Sequence, residues 1–228
     1  MKPNPFLSEL DGVLHDGLKF CSIVYALFEK VRQTEDGKIR LRMRASSLEK
    51  RLIEELLPIC KYIQLRYRAG RYISVQWING SQQFDAELLQ SGGLVDKECF
   101  SAKGYLEVTC VMHPNEYLIR EQLTKTGFAY SPDGIKRLRN KEIVSEPVVY
   151  SNQDFVHKYA KLVVSQIKKK TNINYPENTA LIVQCSLNSL YHTEDWKLLT
   201  EEVSKSLPAH LFNEIIIYDE VSERSCML

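Results

Sequence analysis

Two short segments carry acidic side chains whose spacing could place them on one face of a β-sheet. Asp85 lies in Gln-Phe-Asp-Ala-Glu (83–87), and Glu107 lies in Tyr-Leu-Glu-Val-Thr-Cys (105–110), where Thr109 follows two residues later. Side chains alternate between the two faces of a strand, so pairing of these segments would bring Asp85, Glu107 and Thr109 together. Two carboxylates a few Å apart repel each other unless a cation lies between them, and Mg²⁺ or Mn²⁺ prefers oxygen ligands. The spacing therefore predicts a divalent-metal site. The alternative is a pair of solvated carboxylates on an exposed sheet face.

A helix and a tight turn are predicted to precede these segments. Ser46 offers an N-cap for a long helix, and Pro58 is expected to kink or divide that helix. Asn79-Gly80 lies between two strand-like runs and favours a type I′ hairpin, because both central residues must adopt positive φ. The predicted elements of this block are a helix at 48–68 and strands at 71–78, 81–89 and 104–111.

This arrangement resembles the core of the PD-(D/E)XK nucleases, the restriction-endonuclease-like superfamily. The residues that carry the resemblance are 84–88 and 105–109, which place an Asp on the second strand and Glu-x-polar on the third. It covers residues 46–112, and the helix at 153–170 with the strand at 179–187 extends it to the αβββαβ core. The resemblance implies Mg²⁺ (or Mn²⁺) held by Asp85, Glu107 and the Val108 carbonyl. It also implies a Glu from the first helix. Of the two candidates there, Glu55 lies nearer the apolar arc than Glu54, although either is also compatible with an ordinary solvated residue.

The sequence departs from the family pattern at two positions. Phe84 stands where the family has Pro, and Thr109 stands where the family has the Lys that stabilises charge on the phosphate. Thr109 would then position the attacking water. Some family members place the Lys on the crossover helix, where Lys161 is our first candidate and Lys158 the second. Both are also compatible with ordinary solvent-exposed lysines.

Local basic patches suit a nucleic-acid surface, although the formal net charge is only +1. The segment 38–44 alternates with period two and is predicted to be a strand with a basic face. That row would follow a phosphate backbone, or it would equally protect an edge strand against aggregation. Residues on the helix at 115–125 and in the irregular segment 130–150 are further candidates. The predicted nucleic-acid contacts are Arg40, Arg42, Arg44, Arg120, Gln122, Lys136, Arg137 and Arg139.

The sequence as a whole predicts one α/β domain of 228 residues. An N-terminal helical extension (1–45) precedes a restriction-endonuclease-like αβββαβ core with a mixed sheet (46–190), and a helix–strand addition (191–228) follows. Helices at 153–170 and 194–207 alternate with buried strands at 179–187 and 212–218, which argues for parallel additions to the sheet.

Composition and cysteine usage indicate a cytoplasmic protein without a membrane span. The longest nearly uncharged stretches have about nine residues, short of the roughly 20 that a spanning helix needs. The first ten residues contain Pro and acidic side chains rather than a basic-then-apolar signal, so export is not expected. Six widely spaced cysteines without a CxxC motif predict reduced thiols.

The function expected from these features is metal-dependent hydrolysis of nucleic-acid phosphodiester bonds, with DNA as the substrate and defence or repair as the setting. The alternative is a catalytically inactive nuclease fold that binds DNA or protein, for which the missing Lys is the main argument. A third reading is a structural subunit of a larger complex. The sequence does not decide between a homodimer and such a complex.

Overall fold

The computed structural model describes residues 6–186 and 192–228, and these residues form alternating helices and strands. The helices are α1 (Gly17–Arg32), α2 (Gly37–Met43), α3 (Ser47–Arg51), α4 (Leu57–Arg66), α5 (Gly93–Asp96), α6 (Glu116–Thr126), α7 (Asn152–Thr171) and α8 (Thr193–Lys205). The strands are β1 (Leu14–Asp16), β2 (Tyr72–Trp77), β3 (Ala86–Ser91), β4 (Lys103–Val111), β5 (Ile135–Arg137), β6 (Ile143–Ser145), β7 (Thr179–Cys185), β8 (Glu214–Asp219) and β9 (Ser225–Met227).

Within the described residues, seven strands form one mixed sheet in the order β1-β2-β3-β4-β7-β8-β9. Strands β1 to β4 pair antiparallel, whereas β4, β7 and β8 pair parallel and β9 returns antiparallel at the edge. The long helix α7 links β4 to its parallel neighbour β7, as a parallel connection requires. The predicted α/β class with a mixed sheet is confirmed.

Two apolar clusters cover the two faces of this sheet. On one face α1 and α4 pack on alternate residues of the central strands, including Trp77, Leu106 and Val108. On the other face α7 and α8 pack on the intervening residues, including Val111 and Leu181. The alternation that assigned Leu106 and Val108 to the core, and Glu107 to the opposite face, is therefore confirmed.

The long helix predicted at 48–68 is divided, as the proline suggested. Ser46 and Glu49 form a capping box at the start of α3, and a π-helical turn (Leu52–Leu56) joins α3 to α4. Pro58 follows the π-helical turn directly in a chain that stays helical, so it lacks the N–H that would bond to the Glu54 carbonyl, and that carbonyl accepts from the Cys110 thiol (3.6 Å) instead. The π-helical turn widens the helix beside Glu54 and Glu55, the two acidic residues considered for the metal site.

The predicted strand at 38–44 is wrong, because these residues form helix α2. Leu41 is buried, whereas Ile39 is 48% exposed, so the period-two pattern does not correspond to a buried face. Lys, Arg, Leu and Met have high helix propensity, and the ion pair between Asp36 and Arg40 (3.9 Å) supports the helix at i, i+4 spacing. The predicted basic face of a strand therefore does not exist.

The predicted type I′ turn at Asn79-Gly80 is also wrong, although β2 and β3 do form an antiparallel hairpin. Neither Asn79 nor Gly80 has positive φ, and β3 begins only at Ala86, opposite Trp77. The intervening segment 78–85 is an irregular loop, held by the Gln82 amide, which donates to the carbonyls of Ile78 and Phe84 at 2.7 Å each.

The remaining predictions differ mainly at their ends. Helices α6, α7 and α8 and strands β4, β7 and β8 lie within one or two residues of the predicted positions. The segment 130–150, predicted to be irregular, contains the small hairpin β5–β6, and β9 was not predicted. Residue 187, the last of the predicted strand at 179–187, lies outside the described residues. In the part of the chain that the structure describes, no helix is both long and apolar enough to span a membrane, and all six cysteines are free thiols.

Candidate active site

Asp85 lies immediately before β3, at the point where that strand stops pairing with β4. Its amide N–H donates to the Leu106 carbonyl (2.8 Å), and its carboxylate accepts a hydrogen bond from the Val108 amide (2.8 Å). Ala86 pairs with Leu106, so Asp85 lies opposite Glu107 when the register is extended by one residue. The two carboxylates predicted to meet are therefore neighbours across two strands. Burial, and next the negative charge of Glu107, raise the pKa of Asp85.

Glu107 is 7% exposed and lies on the sheet face that α7 covers. Lys170, in the last turn of α7, donates a hydrogen bond of 2.5 Å to the Glu107 carboxylate. The Tyr175 hydroxyl is buried in the same region, without a hydrogen-bond partner among the described residues. Glu107 thus has one close positive partner, which Asp85 lacks.

Glu55 approaches the same region from the π-helical turn. Its carboxylate accepts a hydrogen bond from the Trp77 indole N–H (3.2 Å) and pairs with Arg51. Glu54, by contrast, points to Arg44, which lies 2.5 Å from it. These contacts agree with the choice of Glu55 over Glu54 as the acidic residue of the first helix that lies near Asp85.

All three carboxylates hold their protons more tightly than usual. Burial, followed by the negative charge of Glu107, raises the pKa of Asp85 to about 6. Burial also raises the pKa of Glu107, against the opposing effect of Lys170. Burial and the charge of Asp85 raise the pKa of Glu55. The site therefore concentrates negative charge that the protein neutralises only in part, a property more typical of functional sites than of structural ion pairs.

Val108 and Thr109 take different positions around this cluster. The N–H and C=O of a strand residue project to the same side, so the Val108 carbonyl also faces the gap beside Asp85. Thr109 lies about 7 Å along β4 from Glu107, on the same face, and is 5% exposed. The Thr109 hydroxyl therefore lies under the layer that contains α7. Thr109 is less exposed to solvent than Asp85, and so less accessible to a substrate.

Lys161 is not the lysine at this site. It lines a separate cavity with Met112 and Tyr150. Lys170, which contacts Glu107, lies nine residues further along α7, or about 13 Å along its axis. Lys158 pairs with Asp133 at 2.9 Å and lies at the same end of the helix as Lys161. Sequence periodicity missed Lys170 because it is one of three consecutive lysines in a helical last turn, a place that cations favour for dipole reasons alone.

Three arginines predicted to contact nucleic acid have partners within the protein. Arg40 pairs with the buried Glu49 (2.6 Å), and Arg44 pairs with Glu54 and is itself buried. Arg42 donates to the Leu123 carbonyl at 3.2 Å. Because α2 replaces the predicted strand, these residues do not form a row, and Arg40 and Arg44 are structural.

The other predicted contacts are divided between inward and exposed positions. The Arg120 guanidinium lies beside Glu116 and Met112, at 3.5 and 3.2 Å, and its side chain is only 14% exposed. Gln122 is half-buried on α6. Lys136, Arg137 and Arg139 are exposed on or near the β5–β6 hairpin, where Arg137 pairs with Glu121 (2.5 Å). Of the eight predicted contacts, Arg42, Lys136, Arg137 and Arg139 are exposed, and the last three lie together on or near the hairpin.

Asp85, Glu107 and the Val108 carbonyl have the chemistry of a Mg²⁺ site, since this cation is commonly held by one or two carboxylates and retains waters. Burial and the nearby Glu107 carboxylate raise the pKa of Asp85, and a cation between the two carboxylates would oppose that shift. Among the described residues, no three or more His, Cys, Asp or Glu side chains are grouped closely enough to ligate one metal ion. A cation here would therefore rely on two carboxylates and a backbone oxygen.

Comparisons with protein-family models, with curated proteins and with solved structures give no significant match for this chain. The site must therefore be interpreted from its own geometry.

Proposed function

We propose that the protein is a metal-dependent nuclease that hydrolyses phosphodiester bonds of DNA at Asp85 and Glu107. The observation that carries the proposal is the pairing of these carboxylates across β3 and β4, with Lys170 supplied by the crossover helix α7. The sequence resemblance to the restriction-endonuclease-like nucleases supports it. The order of antiparallel β2, β3 and β4 followed by α7 and parallel β7 agrees with the αβββαβ core of that superfamily.

Each residue of the proposed site would have a separate role in metal binding or in charge stabilisation. Asp85, Glu107 and the Val108 carbonyl would hold Mg²⁺ or Mn²⁺, and a bound cation supplies Lewis acidity toward the phosphate and acidifies its water. Glu55 would keep the electrostatic potential negative from the helix side. The Lys170 ammonium would place positive charge beside Glu107, where the family pattern has a lysine and this chain has Thr109 on the strand.

The test is cleavage of a supercoiled plasmid and of a single-stranded oligonucleotide with Mg²⁺, with Mn²⁺ and with EDTA. Asp85→Asn and Glu107→Gln are expected to abolish metal-dependent cleavage, whereas Glu87→Gln, a neighbouring carboxylate paired with Lys103, is expected to retain it. A second readout is stability, because Mg²⁺ that binds the folded state should raise the unfolding midpoint of the wild type and not of Asp85→Asn.

The competing function is a catalytically inactive module that binds DNA or protein. Its support is the direct contact of Lys170 with Glu107, which occupies one of the carboxylates that a cation would need. Absence of both cleavage and a Mg²⁺-dependent midpoint shift would reject the nuclease and favour the binding module.

A further inference from the structure

A cavity of about 760 Å³ lies between α6, α7 and residues 129–133, and neither Asp85 nor Glu107 lines it. Its volume is in the range of sites that hold small organic ligands. Apolar side chains from α6, from α7 and from two connecting segments form much of its wall, and these are Met112, Ile119, Leu123, Ala129 and Leu162. The cavity is thus a preformed space whose walls do not belong to the proposed active site.

Aromatic rings form another part of the wall. Tyr150 and Phe155 stack with centroids 5.9 Å apart and planes at 14°, and Phe155 and Tyr159 stack at 5.9 Å and 22°. The Tyr159 hydroxyl donates to the Val111 carbonyl (2.9 Å), which fixes this row of rings against the end of β4. Tyr130, which also lines the cavity, is 48% exposed. Such surfaces favour a planar aromatic ligand, because rings stack on rings.

Two carboxylates and two lysines lie in the cavity wall. Of these, Glu116 pairs with Arg120, which lies outside the wall, at 3.5 Å. Lys158 is 2.9 Å from Asp133, and His113 is 3.1 Å from the same carboxylate. Lys161 is exposed and lines the cavity, and in residues 6–186 and 192–228 no carboxylate lies within ion-pair distance of it. An anionic group on a ligand in the cavity could therefore reach a positive charge that the protein does not neutralise.

Polar hydroxyls complete the wall. The hydroxyls of Ser131 and Tyr150 hydrogen-bond to each other at 2.8 Å, and Ser186 lies at the same wall. These groups can donate to or accept from the edge of a heteroaromatic ring. A purely aliphatic ligand would leave the Lys161 ammonium without an anionic partner.

We propose that this cavity binds a nucleotide, with the base against the aromatic wall and the phosphate at Lys161. The nucleotide has two sources, a free mononucleotide or one unstacked nucleotide of a single strand. Met112, at the cavity wall, follows directly after β4, the β-strand that carries Glu107, and lies about 17 Å along the chain direction from Glu107, so a nucleic-acid single strand bound at Glu107 could reach the cavity. Nucleotide binding in this cavity does not require that the protein cleave nucleic acid at Asp85 and Glu107.

The experiment measures the affinity of the full-length protein for AMP, adenosine and ribose 5-phosphate by isothermal titration calorimetry. AMP is expected to bind more tightly than either fragment. Tyr130→Ala should weaken AMP binding by about 5- to 100-fold through lost stacking. Lys161→Met should weaken it by about 3- to 10-fold. The controls are Tyr117→Ala, another exposed tyrosine that does not line the cavity, and Lys168→Met on the same helix. All four substituted side chains are largely exposed, so each variant is expected to fold.

A second measurement separates the two sources with a fluorescent twelve-nucleotide dA strand in EDTA. If AMP displaces the strand and Tyr130→Ala weakens strand binding by the same factor as AMP binding, the cavity holds a nucleotide of the strand. If AMP binds and does not displace the strand, the ligand is a free nucleotide. The proposal is overturned if AMP does not bind, if ribose 5-phosphate binds equally well, or if the two cavity variants match their controls.

Discussion

Replacing Asp85 by Asn should make the protein more stable at neutral pH, although Asp85 accepts a hydrogen bond from the Val108 amide. Asn keeps an oxygen that can accept this bond and removes a buried negative charge. The pKa of Asp85 rises from its ordinary 3.8 to about 6 in the fold. A difference of this size corresponds to about 3 kcal/mol, since each pKa unit represents about 1.4 kcal/mol. Asp85 retains some contact with solvent, so we expect an increase in unfolding free energy of about 1–3 kcal/mol at pH 7.

The sign follows from the protons that each state binds. Asp85 has a higher pKa in the folded state, so between pH 4 and pH 6 the folded state binds more protons than the unfolded state. The contribution of Asp85 to stability therefore falls as pH rises through this window. At pH 4 the carboxyl group is neutral in the folded state and partly neutral in the unfolded chain. The increase in unfolding free energy caused by Asp85→Asn should therefore fall to about 0.5 kcal/mol or less.

Urea unfolding of the wild type and of Asp85→Asn, followed by circular dichroism without added metal, measures the difference in unfolding free energy at pH 7 and at pH 4. Glu87→Gln is the matched control, because Glu87 lies two residues further along and pairs with Lys103 at 3.0 Å at the surface. Its effect should stay within about 0.5 kcal/mol at either pH. If Asp85→Asn instead loses 1 kcal/mol or more at both pH values, Asp85 is a structural hydrogen-bond acceptor and the argument for an unneutralised site charge is refuted.

Three further substitutions test other parts of the interpretation. Lys170→Met should lower kcat of metal-dependent cleavage by about 100-fold or more with little change in KM, because it removes charge stabilisation from the reacting phosphate; an equal kcat would contradict that role. Arg40→Gln should destabilise the fold by about 1–3 kcal/mol in urea, since it leaves the buried Glu49 carboxylate without its cation, and the salt dependence of DNA binding should be unchanged. Gly80→Ala should destabilise the fold by about 1–2 kcal/mol in thermal unfolding although φ there is not positive, because the new methyl group would displace the Gln82 carboxamide that holds the loop; an unchanged stability would contradict that role of Gln82.

The elements that the sequence predicted best are those in which periodicity and end signals agree. α7 begins with the capping box of Ser151 and Asp154 and buries one apolar face. β7 is buried on both faces, and its apolar run is interrupted only by polar residues at its ends. α6 ends at Gly127, whose left-handed φ of 78° closes the helix. In each case one segment carries enough information to specify its own structure.

The two wrong predictions came from local patterns that other interactions override. The alternation at 38–44 fits a strand, but no strand of the described residues pairs with it, and Arg40 pairs with Asp36 at the start of the helix and with Glu49 after it. Asn79-Gly80 is a strong local turn signal, but the segment after it is organised by contacts with distant residues. Asn79 donates to Asp11, and Asp85 holds the Val108 amide. Tertiary contacts therefore override local turn preference here.

The candidate site shows the same division between local and distant information. The shared face of Asp85 and Glu107 was predictable, because alternation fixes the face of each side chain, whereas their register was not, because the connection from β3 to β4 is long and contains α5. The contribution of Lys170 was not predictable either, because it depends on where a twenty-residue helix ends relative to β4. A shift of α7 by one residue would rotate Lys170 by about 100° and replace it with Lys169 or Thr171. The lysine absent from the strand motif is thus found only once the packing of α7 on β4 is known. The packing of Ala160, Val163 and Ile167 against the sheet determines which of the three lysines reaches Glu107.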